Sequence, residues 1–539
     1  MAAVRIRLLL CLLLASVGCA PDATKPPAAP ATAPAPFDLE ELTIAELQQR
    51  LTSGRDSSRS LAEKYLARIA SIDRAGPALK SVIEVNPDAL AEADRLDAER
   101  KVNKVRGPLH GIPVLLKDNI ATADRMQTTA GSLALAGVTA PRDAFVVARL
   151  RAAGVLLLGK TNLSEWANFR DRHSVSGWTA RGGQTKNPYA LDRSPSGSSS
   201  GSGAATAANL AAAAIGTETD GSIVSPASVM ALVGIKPTHG LLSRTGIVPI
   251  SSSQDTPGPM ARTVTDAALL LGAMVGADRE DAATADSESR GLRDYSTSLD
   301  AGGLKGARIG VVRDRLFGYS AAADRLAEAA IATMKEQGAV IVDPADIATL
   351  GSFEQDEMAV MLYEFGPSLK QYFAWLGPAA PVHSLEDVIA FNESHRDQEM
   401  PFFGQDLMTT AAKQGPLTSK DYQRRLARYR RQAIDGIDTV MTRHRLDALV
   451  APTGSPAWLI DLVHGDRFPA DESAPSTVTS VAGYPQVTVP MGMYKGLPVG
   501  ISFFGRAWSE PKLIALAYAY EQATKHRRPP AFVPTVKLD

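Results

Sequence analysis

Short unbroken aliphatic runs, each closed by glycine, proline or a polar cluster, alternate along this chain with longer stretches whose apolar residues recur every three or four positions. The two periods predict strands interleaved with helices, an α/β fold. Residues 111–116 and 155–158 are the plainest strands, and they end abruptly in Lys117-Asp118-Asn119 and Gly159-Lys160-Thr161-Asn162. Continuous apolar runs of this kind belong to a parallel or mixed sheet covered on both faces. Further strands are expected at 307–312, 446–451, 487–491 and 499–504, the last two on either side of Gly496-Leu497-Pro498. Helical spacing appears after the capping-box pattern Thr43-Ile44-Ala45-Glu46, after Ser58 (Leu61, Tyr65, Leu66, Ile69, Ile72), over 87–100, from Thr265, over 323–337, through most of 353–443, and over 511–524. Residues 194–226 place a Gly/Ser knot before a small-residue helix and a second Gly/Ser turn after it. No repeat or shift of composition divides residues 37–539, which predicts one large domain.

The first 36 residues have a different character. Arg5 and Arg7, the apolar run 8–15 and the small residues before Cys19 form a secretory signal pattern over 1–18, too short for a membrane span. Ser16-Val17-Gly18-Cys19 resembles a bacterial lipobox with serine at its usual aliphatic position, which implies lipidation at Cys19. Cleavage after Ala20 is the alternative, and Pro21 suits it poorly. Residues 21–36 contain six prolines and six alanines. At about 3.1 Å per residue in an extended conformation, this tether spans roughly 50 Å. The expectation is an exported protein of the bacterial cell envelope, anchored by lipid and facing the periplasm or the outer surface.

Charge and rare residues narrow the chemistry. The formal net charge of −1 gives no field for nucleic acid. The only cysteines, Cys11 and Cys19, leave the body without a disulfide or a thiol nucleophile. The eight histidines are scattered, with no HExxH pair, so no metal is expected. No G-x-S-x-G nucleophile elbow emerges from a strand, and no phosphate-binding loop is present. Arg424, Arg425, Arg428, Arg430 and Arg431 read as a solvated helix face, with an anion site as the lesser alternative. What remains is serine density in glycine loops. Thr219-Asp220-Gly221-Ser222 can aim consecutive backbone amides at one oxygen, as an oxyanion hole requires. A serine nucleophile then needs a base, and a lysine kept neutral by burial can serve.

Lys117 at a strand end, SGSSSGSG at 196–203, GTETDGSI at 216–223 and GIKPTHGLLSRTGIVPISSSQDTPGPMART at 234–263 together resemble the amidase signature family, and within it the peptide amidase branch. The resemblance runs from about Thr43 to Pro534. It implies a mixed central sheet with helices on both faces, a Ser-cisSer-Lys triad and no cofactor. Ser222 would be the nucleophile, Ser198 the bridging serine on a cis peptide after Gly197, and Lys117 the base. The amides of Thr219, Asp220, Gly221 and Ser222 would hold the oxyanion. The implied activity is cleavage of C-terminal peptide carboxamides through an acyl-enzyme, releasing ammonia. An aryl or acyl amidase acting on small amides is the alternative, and a tethered binding protein without turnover a more distant one. No obligate protein partner is implied. Many members carry Gly-Gly-Ser-Ile-Arg where this chain has Asp220-Gly221-Ser222-Ile223-Val224. Asp220 therefore either reads a substrate N–H or caps a turn.

Overall fold

The structure is a computed structural model that describes residues 37–378, 380–469 and 472–537. The signal pattern, Cys19 and the tether lie outside the described residues. Eleven of the strands form one mixed sheet: β1 (Val82–Val85), β2 (Pro113–Lys117), β3 (Leu156–Thr161), β6 (Ala213–Glu218), β7 (Val233–Lys236), β8 (Thr256–Ala261), β9 (Arg308–Val311), β10 (Val340–Val342), β11 (Ala448–Pro452), β12 (Gln486–Tyr494) and β13 (Leu497–Phe504). The other two, β4 (Trp178–Thr179) and β5 (Gly183–Gln184), make a small ribbon. The order across the sheet is β1-β3-β2-β6-β8-β7-β12-β13-β11-β9-β10. Pairing is parallel within β3-β2-β6 and β11-β9-β10 and antiparallel elsewhere. Every position of β2, β3, β6, β7, β8, β11 and β13 is buried, as a sheet covered on both faces demands. The described residues form a single α/β domain.

The helix starts follow capping chemistry. Thr43 and Glu46 form the expected box on Ile44–Thr52. Two starts fall earlier than the sequence suggests: Ser57 and not Ser58 caps Ser58–Arg68, and Thr263 and not Thr265 caps Val264–Met274. In each case the earlier hydroxyl reaches an N–H three residues on, and the later one already lies within the helix. Three arginines of the arginine-rich face, read from the sequence as solvated, are ion-paired: Arg424 and Arg425 with Asp421, and Arg425 and Arg428 with Asp356.

Two strands depart from the expectation in ways that matter for the site. The small-residue helix after the Gly/Ser knot is only Ser200–Ala207, and Ala213–Glu218 is a central strand. Alanine favours helix locally, but here its small side chain fits a strand enclosed between β2 and β8. Thr256–Ala261 is a strand despite Pro257 and Pro259. Its pairing with β7 begins only at Met260, so the missing proline N–H groups interrupt no ladder on that side.

Candidate active site

Strand register brings the candidate lysine to the Gly/Ser loops. Strand β2 pairs in parallel with β6, Leu116 opposite Ile215, so Lys117 at the end of β2 comes level with the end of β6. The side chain is fully buried. Its Nζ lies 2.8 Å from Ser198 Oγ, 2.9 Å from Thr217 Oγ1 and 3.2 Å from the Thr217 carbonyl oxygen. Burial drives the Lys117 pKa down from 10.5 to about 7, against the opposing charges of Asp255 and Glu218. Asn119 also donates to Thr217 Oγ1, at 3.0 Å.

The first loop is stapled to β6 by its own serines. Ser199 Oγ donates to the Thr217 carbonyl at 3.0 Å and accepts the Thr217 N–H at 3.2 Å. The Gly197–Ser198 peptide bond is cis. A Cβ on residue 197 would sit 2.2 Å from Ser164 Oγ and would have to displace that hydroxyl, which accepts the Gly177 N–H at 3.0 Å. Ser198 is itself held by its carbonyl, which accepts the Ser164 N–H at 3.0 Å.

The second loop follows β6 and turns at Gly221, where φ is +75°. Among the described residues, the N–H groups of Thr219, Asp220, Gly221 and Ser222 have no acceptor. The next two N–H groups, of Ile223 and Val224, donate to Glu218 Oε2 at 2.7 and 3.0 Å. Glu218 thus ends the run of free amides at Ser222. Gln254 Nε2 braces the loop from behind, donating to the Thr219 carbonyl at 3.3 Å and to Glu357 Oε1 at 2.8 Å. In a trans peptide the Asp220 N–H points opposite to that carbonyl, away from Gln254. Ser199 N–H donates to the Ser222 carbonyl at 3.1 Å and ties the two loops together.

Ser198 and Ser222 share the wall of one cavity of about 1220 Å³ with Asp220, Tyr319, Met361 and Phe468. Lys117 does not reach that wall; Ser198 stands between it and the cavity. The Ser222 hydroxyl makes no hydrogen bond among the described residues. Asp220 is held by Thr477, whose hydroxyl donates to Oδ2 at 2.8 Å. Burial pushes the Asp220 carboxyl up, while the Ser476 and Thr477 hydroxyls and the Lys236 charge pull it down. One flank of the region is fixed by buried Arg170, which pairs with Glu165 and with Glu399 and lies over the rings of Trp178 and Phe403. Among the described residues, no three His, Cys, Asp or Glu side chains converge in a way that would hold a metal ion.

Every candidate site residue within the described residues is therefore drawn to one place. Sequence reasoning did not single out Thr217, Asn119, Ser199, Gln254 or Glu357. Four of them lie in or beside the quoted motifs or next to Lys117, and that proximity was the available signal; Glu357 is distant in sequence.

A serine loop, a cis-linked serine on a buried lysine and a run of free amides at the ends of interior strands of a mixed sheet define an amidase. The Amidase family profile matches residues 60–514. The native peptide amidase from Stenotrophomonas maltophilia superimposes with a TM-score of 0.88 at 52% identity, covering 92% of this chain and all of that one. An amidase family protein from Bacillus anthracis superimposes with a TM-score of 0.82 at 36% identity, covering 91% of this chain and 92% of that one. The "Probable amidase" of Arabidopsis thaliana is 43% identical over 92% of this chain and 93% of its own length. The chain belongs to the amidase signature family and is a hydrolase of amides.

Proposed function

We propose that this enzyme hydrolyses the C-terminal carboxamides of peptides, with Ser222 as nucleophile, Ser198 as proton bridge and Lys117 as base. The observation that carries the roles is the surroundings of Lys117 Nζ. Two of its three polar neighbours belong to Thr217, and the carbonyl among them only accepts. A neutral amine has two N–H groups and one lone pair. With both N–H groups on Thr217, the lone pair faces Ser198 Oγ at 2.8 Å. Ser198 O–H then donates to Lys117, and the Ser198 oxygen is left to take the proton of Ser222.

The Ser222 oxygen attacks the carboxamide carbon, and its proton passes to Ser198 as Ser198 gives its own to Lys117. The oxyanion settles on the free amides of residues 219–222. On collapse, the Lys117 ammonium returns a proton through Ser198 to the nitrogen, the C–N bond breaks, and ammonia leaves an ester on Ser222. Water, losing its proton along the same bridge, attacks that ester and releases the carboxylate.

A peptide substrate is supported by the cavity, whose 1220 Å³ exceeds the range of about 300–1000 Å³ common for small-molecule pockets. The similarity to a protein named peptide amidase points the same way. Purified enzyme offered amidated dipeptides and simple anilides is expected to release ammonia from the peptide amides and to cleave the anilides poorly. Activity on the anilides alone would sink the peptide reading.

The site works outside the cytoplasm in this proposal, exported by residues 1–18 and anchored through Cys19. Cells fed labelled palmitate should yield a labelled protein whose maturation is blocked by globomycin, and Cys19→Ser should abolish the label. A soluble, unlabelled mature protein removes the anchor.

A further inference from the structure

We propose that Gln254 is a positioning residue for the oxyanion: through the Thr219 carbonyl, its side-chain amide aims the Asp220 N–H at the charge that forms on the substrate oxygen. The inference rests on Ser222 being the nucleophile and on the amides of residues 219–222 holding the oxyanion. Thr219, Asp220, Gly221 and Ser222 line the cavity, whereas Gln254 and Glu357 are buried outside its wall, behind the loop. Gln254 Nε2 donates to the Thr219 carbonyl at 3.3 Å and to Glu357 Oε1 at 2.8 Å, and Gln254 Oε1 accepts the Tyr429 hydroxyl at 3.4 Å. The Thr219 carbonyl only accepts, so the NH2 end of Gln254 must face it. Beside it, Asp255 Oδ1 accepts the Thr219 hydroxyl at 2.6 Å. Two consecutive residues immediately before β8 thus clasp Thr219 by its carbonyl and its hydroxyl.

The peptide planes explain why a side chain is needed here. In a trans unit the C=O and the following N–H point opposite ways, so whatever holds the carbonyl behind the loop holds that N–H in front of it. For the Gly221–Ser222 unit the backbone does this, because the Gly221 carbonyl accepts the Ser225 N–H at 2.8 Å. For the Thr219–Asp220 unit, Gln254 is the one donor to the carbonyl among the described residues. Strand β6 has ended at Glu218 and the next helix begins at Val224, so neither ladder nor helix fixes this unit. Without Gln254 it is free to rotate between its two flanking Cα atoms and carry the Asp220 N–H off its line. An oxyanion donor stabilises most when it is aimed before the charge appears. Gln254 supplies that aim, and Glu357 and Tyr429 hold the Gln254 amide by its two ends.

The test sets a reactive probe against an inert one, both built on the peptide whose amide the wild type cleaves fastest. The peptide aldehyde adds to Ser222 and puts its oxygen where the oxyanion forms, whereas the matching peptide alcohol occupies the cavity without reacting. Methionine at 254 keeps the reach of the side chain and donates nothing. Gln254→Met should weaken aldehyde binding and lower kcat/KM by the same factor, about 10- to 100-fold, short of the roughly 10²- to 10³-fold that outright loss of an oxyanion donor costs. The alcohol should bind as it does to the wild type. A change of less than about threefold in both the aldehyde constant and kcat/KM overturns the proposal, and so does a loss shared equally by aldehyde and alcohol. If Gln254→Met fails to fold, Glu357→Leu and Glu357→Gln decide. The first should lower aldehyde binding and kcat/KM by about three- to tenfold, and the second, which keeps an acceptor for Gln254, should recover most of that loss; equal values in the two variants overturn the proposal. Ser222→Ala run alongside separates the two ideas. Loss of turnover there, with the aldehyde bound no more tightly than the alcohol, keeps the nucleophile assignment whichever way Gln254 falls, and unchanged turnover removes that assignment.

Discussion

Alanine in place of Ser222 is expected to lower kcat on any amide the enzyme turns over by about six orders of magnitude, the scale seen when a serine hydrolase loses its nucleophile. What survives would come from the oxyanion amides and from binding, which together still exceed uncatalysed hydrolysis by roughly 10³- to 10⁴-fold. The fold should not notice. The Ser222 hydroxyl makes no hydrogen bond among the described residues, so its removal strands no buried partner. Its carbonyl keeps the Ser199 N–H, and the contact between Lys117 and Ser198 stays in place. With no partner stranded and no large cavity opened, the change in stability should stay within about 1 kcal/mol. Steady-state rates, a thermal melt and binding of a non-cleaved substrate analogue measure the three quantities separately. Unchanged turnover would refute the assignment, and a large loss of melting temperature would mean that the drop in rate reported unfolding.

The sequence made the ends of elements legible and the partners across the sheet much less so. Lys117 was visible because a charged residue closing an unbroken aliphatic run must sit at the mouth of a buried strand. The two Gly/Ser loops were visible because glycine at such density in a folded body marks backbone that has to bend or be approached. The strand Ala213–Glu218 was not. Its alanines have high local helix propensity, and only their place between β2 and β8 decides for strand. That misreading hid Thr217, because a residue taken as following a helix gives no reason to be set beside Lys117, 100 positions earlier. The brace from Glu357 was equally hidden. It reaches the Thr219 peptide through Gln254 from a helix, Glu354–Leu376, whose docking no local pattern encodes. Local chemistry thus exposed the residues proposed to react, and the residues that fix their geometry emerged only with the long-range contacts.

Lys117→Met should cost about 10²- to 10⁴-fold in kcat/KM, the ordinary contribution of a positioned base. The pH profile makes the prediction specific. Only the neutral amine can accept a proton from Ser198, so activity in the wild type rises as the ammonium loses its proton. Burial brings that step from 10.5 to about 7, and the charges of Asp255 and Glu218 keep it from falling further. The kcat/KM profile should therefore climb through an acid limb centred near 7 and level off above it. In Lys117→Met the limb should vanish along with most of the rate, because methionine keeps much of the buried stem and carries nothing that titrates. Lys117→Arg should be no better, since a guanidinium stays charged across this range and cannot accept. The double variant Lys117→Met/Ser222→Ala should be no slower than Ser222→Ala alone, because groups that act on one proton path lose their effect together. An acid limb that persists unchanged without Lys117 would assign the titration to another group, and Asp255, which burial pushes up to about 6, is the next candidate. Multiplicative losses in the double variant would mean that lysine and serine act in separate steps, which the 2.8 Å contact of Lys117 with the bridging serine argues against.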